Sequence, residues 1–213
     1  MRTLLALMLL ATTAEAAPAL VVPPSAATIA PAPIDLAVVP KPCASLAKQA
    51  NIPRFAVAME ARISLAGCLA NERLRERTDL IDAQDSIALV EDGVVASLAL
   101  LDSAIATTDP KLVILAQHAK GELYAAMTAR MLQTIPALPT TATGESAQLR
   151  DQRVQLLTTW LAPWREKAHA AFSAVLATER AQPSIAKDAQ CQRAIADSRQ
   201  QLEHLPATVA AAS

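Results

Sequence analysis

The sequence predicts an all-α protein of antiparallel helical hairpins, about five helices following a disordered N-terminal segment. Three observations carry that reading. Only four Gly occur in 213 residues, while about a fifth of the chain is Ala. Aromatic residues make up 2%. Apolar residues recur at three- and four-residue steps over most of positions 53–205. Ala and Leu lose little conformational freedom in a helix, whereas strands favour alternating β-branched and aromatic residues, and no convincing run of that kind is present.

The N-terminal residues read as a secretory signal. Arg2 gives a positive start, Leu4 to Ala11 form a short apolar run, and Ala14-Glu15-Ala16 places small residues where a signal peptidase reads. Cleavage is expected after Ala16. The run is too short to cross a bilayer, and no later stretch approaches the ~20 apolar residues that a span requires. No Cys follows the run closely, which argues against a lipid anchor. A periplasmic or secreted location follows as the expectation.

Residues 17–42 carry seven Pro, at 18, 23, 24, 31, 33, 40 and 42. Repeated Pro removes backbone donors and blocks helix, so an extended or disordered linker is expected there. About 165 residues follow, enough for one good core, and positions 43–205 are read as a single helical domain. Residues 206–213 read as a flexible tail.

Within the domain, a short segment at 43–50 ends at Asn51-Ile52-Pro53. A long helix is expected over 53–77, with Phe55, Met59, Ile63, Ala66, Ala70 and Leu74 on one face. Thr78 is a reasonable cap for a second helix reaching about 107. Asp109-Pro110 is a strong start signal, an acidic cap followed by Pro at the first helical position. The third helix runs to about 133 and buries Leu112, Leu115, Ala119, Leu123, Met127 and Met131. Pro136 and Pro139 mark the clearest internal loop. A fourth helix is expected over 144–181, kinked or broken at Pro163, with a stripe from Leu149 through Leu157, Leu161, Trp164 and Phe172 to Leu176. A fifth, more polar helix spans 183–205. Short connections imply antiparallel packing, as a closed bundle or a short tetratricopeptide-like solenoid.

The repeat reading has specific residues behind it. Ala104-Ile105 followed by Asp109-Pro110 is similar to the close of a tetratricopeptide repeat, one residue too long. Gly121-Glu122-Leu123-Tyr124 supplies a Gly-x-x-Tyr step in which Gly lets paired helices approach. No second copy stands about 34 residues away. Over a longer span, the segments at 61–70, 118–124 and 130–136 resemble uncharacterised exported helical proteins of myxobacteria and relatives, some of them tetratricopeptide-like. That resemblance covers about residues 55–180. It implies an all-helical fold and brings no catalytic residues with it.

Several arrangements are candidates for chemistry. His118 and Glu122 lie one turn apart and share a helix face, but a metal site needs a further ligand, and only His169 and His204 remain as histidines. An ordinary polar pair is the expectation, with no metal. Trp160 and Trp164 flank Pro163 and are candidates for partner contact; Trp164 continues the apolar stripe, so Trp160 is the better candidate for exposure. Asp79, Asp82, Asp85, Glu91 and Asp92 give the second helix an acidic first half, which suits a helix N-terminus and lacks the spacing of a calcium loop. Cys43, Cys68 and Cys191 leave room for one disulfide in an oxidising compartment, with three pairings open. No nucleophile elbow, phosphate loop or paired-carboxylate motif is recognisable. No catalytic residue and no cofactor are expected.

Net charge is −1 and basic residues are scattered among acids, so a nucleic-acid footprint is missing. The expectation is a non-enzymatic protein-interaction or scaffold module of the cell envelope, its partner an envelope protein or peptide. The alternative is a helical bundle binding a small ligand in the periplasm.

Overall fold

The structure, a computed structural model, describes residues 32–76, 83–133 and 144–205. The signal segment 1–16, residues 17–31 of the Pro-rich stretch, the loop at Pro136 and Pro139, and the 206–213 tail lie outside the described residues, as do Thr78, Asp79 and Asp82.

The described residues form seven α-helices: α1 (Ala44–Ala50), α2 (Phe55–Glu76), α3 (Ala83–Ile105), α4 (Pro110–Gln133), α5 (Gly144–Trp160), α6 (Ala162–Ala181) and α7 (Ala189–His204), with no strand among them. The expected count of five differs for identifiable reasons. The short 43–50 segment is a helix in its own right. The expected 144–181 helix divides at Leu161, which sits between α5 and α6. Pro163 has no N–H to bond the carbonyl of Thr159, so the ladder lapses there. Leu161 still donates to Leu157 at 2.8 Å, and its own carbonyl accepts from Trp164 and Arg165 at 3.1 and 3.2 Å. The last helix starts later than expected. Pro183–Lys187 forms a 3-10 turn, and α7 begins after Asp188, whose carboxylate accepts from the backbone N–H of Gln190 and Cys191 at 2.9 and 3.1 Å. The α4 start is as read from sequence, with Asp109 accepting from the Lys111 N–H at 2.9 Å.

From residue 32 onward the Pro-rich segment lies against α1 and α2. Asn51 and Ile34 exchange two hydrogen bonds of 2.8 Å, and Asp35 caps the 3-10 turn Leu36–Val38. Arg62, 5% exposed, donates to the carbonyls of Ala32 and Ala50, and burial lowers its pKa. Cys43 bonds to Cys68 across 5.8 Å between Cα atoms. These links seat Cys43, Ala47 and Ala50 against Ala61 and Leu65 of α2.

α4 is the central element, packed against α2, α3, α6 and α7. It therefore buries residues around its circumference: Leu112, Ile114, Ala116, Gly121, Leu123, Tyr124, Met127, Thr128 and Met131. Its closest approach is to α6. A Cβ at Gly121 would lie 2.6 Å from Phe172 Cε1, so the absence of a side chain there is what admits the phenyl ring. Met59, Ile63, Ala66 and Ala70 of α2 and Val90, Val94, Leu101 and Ala104 of α3 complete the main core around α4. A further cluster, Ile114, Val175, Cys191, Ala194 and Ile195, joins α4, α6 and α7. No described helix is long and apolar enough to cross a membrane.

Candidate functional site

A groove of about 680 Å³ lies where α1, α2, α4 and α7 meet. It exists because short side chains line it: Ala61, Ser64 and Gly67 from α2, Ala119 from α4 and Ala194 from α7. Leu46, Val57, Ile63 and Leu115 give it an apolar floor. Its charged side chains are Glu60, Glu122, Asp197 and Arg193, three carboxylates against one guanidinium, with His118 among them.

Two charged clusters fix α7 beside α4. Lys111 Nζ stands 2.9 Å from Glu60 of α2 and 3.5 Å from Asp188 ahead of α7. The hydrogen bond to Glu60 holds the Lys111 ammonium above the ordinary lysine range, so this contribution is complete at neutral pH and is lost only as pH rises through that raised value. The Cys191 N–H leads the group of donors that holds Asp188 below the usual carboxylate range. Its contribution is present above the ordinary Asp value and is lost as pH falls through the lowered one. The second cluster is His118, Glu122 and Asp197. His118 Nε2 lies 2.8 Å from Asp197 Oδ2, and Nδ1 lies 3.5 Å from Glu122 Oε2. From Lys111–Asp188 to His118–Asp197 the pairing advances in the same sense along both helices, so α4 and α7 run side by side in one direction.

His118 also meets the edge of Phe172, ring centroids 6.0 Å apart. The phenyl ring that fits against Gly121 thus fixes one side of the imidazole while Asp197 fixes the other. His118 is mostly covered, with 17% of its side chain exposed, whereas Glu122 is 56% exposed and open to the groove.

The sequence pairs His118 with Glu122 by their four-residue spacing, and the structure brings them together. Asp197 is the member that sequence reasoning misses. It lies 79 residues from His118 on a polar helix, and no spacing rule links them. His169 and His204 do not join the cluster; His204 instead borders a smaller cleft of about 390 Å³ with Thr128, Leu132 and Arg165. Of the two tryptophans, Trp164 is core, 2% exposed, and its indole N–H donates to Glu91 Oε1 at 2.7 Å, while Trp160 is 37% exposed. Trp164 is thereby removed as a partner-contact residue. Glu91, read as part of a solvated acidic face, has this indole as its partner. Cys191 is a free, buried thiol, pushed up to about 11 chiefly by burial.

No protein-family model matches the sequence, and no curated protein or solved structure shows significant similarity to the chain.

Proposed function

We propose that this chain is a non-enzymatic interaction module of the cell envelope whose α2–α4–α7 groove receives a polypeptide segment bearing basic side chains. The observation that carries the reading is the groove itself: an apolar floor of Leu46, Val57, Ile63 and Leu115, edged by Glu122 and Asp197 with Arg193, and by Glu60, which Lys111 pairs. Apolar contact supplies affinity in such a site, and charge complementarity selects the partner and speeds encounter. The envelope location is supported by the signal-like N-terminus and by the Cys43–Cys68 bond, since disulfides persist in oxidising compartments. The tetratricopeptide-like character rests on the Gly121 step and on the consecutive hairpins, and it belongs to this reading as well.

The test is fluorescence anisotropy with labelled peptides of equal length and hydrophobicity, one series carrying Lys and Arg and the other Asp and Glu. The basic series binds, and its affinity falls as salt rises. Ser64→Trp, at an exposed groove position, fills the site and abolishes binding while leaving the unfolding curve in place. Failure of every peptide to bind at any salt, or binding indifferent to Ser64→Trp, would overturn the proposal. Stabilisation by a small molecule, lost in the same variant, would instead favour the ligand-binding bundle.

A further inference from the structure

The two separations around His118 differ, and the difference assigns two roles. Asp197 has only acceptor atoms as a carboxylate, so the 2.8 Å contact requires that Nε2 carry the proton. The other ring nitrogen, Nδ1, faces Glu122 and is the atom of this ring that a metal ion would take. Nδ1 and Glu122 Oε2 stand 3.5 Å apart, beyond the usual 2.7–3.2 Å of an N–H···O hydrogen bond. That gap matches the bite of a tetrahedral metal ion. Zinc bonds of about 2.0–2.1 Å to nitrogen and 2.0–2.2 Å to oxygen place two donors roughly 3.3–3.5 Å apart.

We propose that His118 Nδ1 and Glu122 bind a divalent ion of the zinc class in the groove, with Asp197 as the positioning residue that holds the imidazole through its Nε2–H. His118, Glu122 and Asp197 offer donor atoms that all lie within 4.8 Å of one another. A metal-bound histidine ordinarily donates its other ring N–H to a carboxylate, which fixes the tautomer and strengthens the ligand. Among the described residues, neither Glu122 nor Asp197 pairs with a lysine or arginine, so two carboxylates share one imidazole and a dication offsets their charge. The imidazole nitrogen selects zinc, cobalt or nickel over magnesium and calcium, which prefer all-oxygen sets. Glu122 is solvent-accessible, so the ion can enter, and its remaining positions face the groove for water or a further donor. The site stands on these three residues, and because Glu122 and Asp197 also edge the groove, a bound ion would offset part of the charge that selects a basic segment.

The test is titration of the tag-free full chain with Zn2+ alone, in competition with a chromophoric chelator. One Zn2+ binds per chain, and Mg2+ or Ca2+ in excess does not displace it. Glu122→Gln and His118→Gln each weaken binding at least about tenfold, and Asp197→Asn weakens it about 10–100-fold. His169→Gln and His204→Gln leave it unchanged. Co2+ in place of Zn2+ gives a visible ligand-field band that shifts in Glu122→Gln, and in Asp197→Asn the band weakens even when the ion is saturating. A merely structural role for Asp197 would leave that band unaltered and would overturn its assignment. If His118→Gln does not fold, Glu122→Gln decides, because that half-exposed carboxylate lies outside the core. No bound Zn2+, or Zn2+ binding unaffected by Glu122→Gln, overturns the site. Zn2+ binding that survives Ser64→Trp while peptide binding is lost keeps the two proposals separable.

Discussion

α5 and α6 are successive pieces of one apolar stripe, yet they end in different surroundings. In α6, Trp164, Ala168, Ala171, Phe172 and Val175 are buried. Among the described side chains of α5, Leu157 alone is buried, while Leu149, Leu156 and Trp160 are 62, 47 and 37% exposed. Both helices carry apolar residues at helical spacing, so periodicity does not separate them. The complement opposite each helix does. α6 faces α4 at Gly121, which leaves space for Phe172, and it gains a second anchor where Trp164 donates to Glu91 of α3. α5 touches α4 and α6 only lightly. An apolar stripe makes a helix able to dock, and a matching surface makes it dock.

The largest test of this contrast is Phe172→Ala. Removing the ring leaves a cavity against the bare backbone of Gly121 and releases one side of His118, and a loss of about 3–5 kcal/mol is expected by denaturant unfolding. A loss under about 1 kcal/mol would show that α6 docks no more specifically than α5. Replacing Cys43 and Cys68 by Ser together should cost about 3 kcal/mol, because the bond closes a 25-residue loop in the unfolded chain. In the intact protein one thiol, Cys191, should titrate after denaturation without reductant, and none in the native state at pH 8; rapid native labelling would place Cys191 outside the α4–α6–α7 core. Gly121→Ala should cost about 1–3 kcal/mol, since a Cβ 2.6 Å from the ring forces Phe172 or the helix aside. An unchanged melting curve would mean that the approach relaxes without resistance. The smallest effect belongs to α5. Leu149→Ala and Leu156→Ala should each change stability by no more than about 0.5 kcal/mol, and α5 amides should exchange before those of α6. A larger loss would mean that something covers this face.

Much of the local structure is legible in the residues. Asp109-Pro110 opens α4 as its cap chemistry dictates, the Met59–Ile63–Ala66–Ala70 stripe of α2 faces the core, and Trp164 is buried as its place on the stripe implies. Less of the candidate site is legible. His118 and Glu122 meet because a helix repeats every 3.6 residues, whereas Asp197 arrives only because α7 lies along α4. The docking of residues 32–42 is hidden for a similar reason. Seven prolines over 17–42 read as extended chain, but over the described part, from residue 32, Asn51 and Arg62 supply partners for the backbone groups of Ile34 and Ala32.

The sequence by itself determined that the chain is helical, where α4 begins, and that Pro163 interrupts one long stripe. Those outcomes depend on groups within a few residues of one another: caps, i to i+4 spacing and a missing N–H. Only the tertiary structure decided which cysteines pair, which half of the stripe is buried, and that Asp197 closes on His118 across 79 residues. Each of these depends on how helices cross, and the crossing is set by packing, as where Gly121 admits Phe172, rather than by the local pattern of either partner.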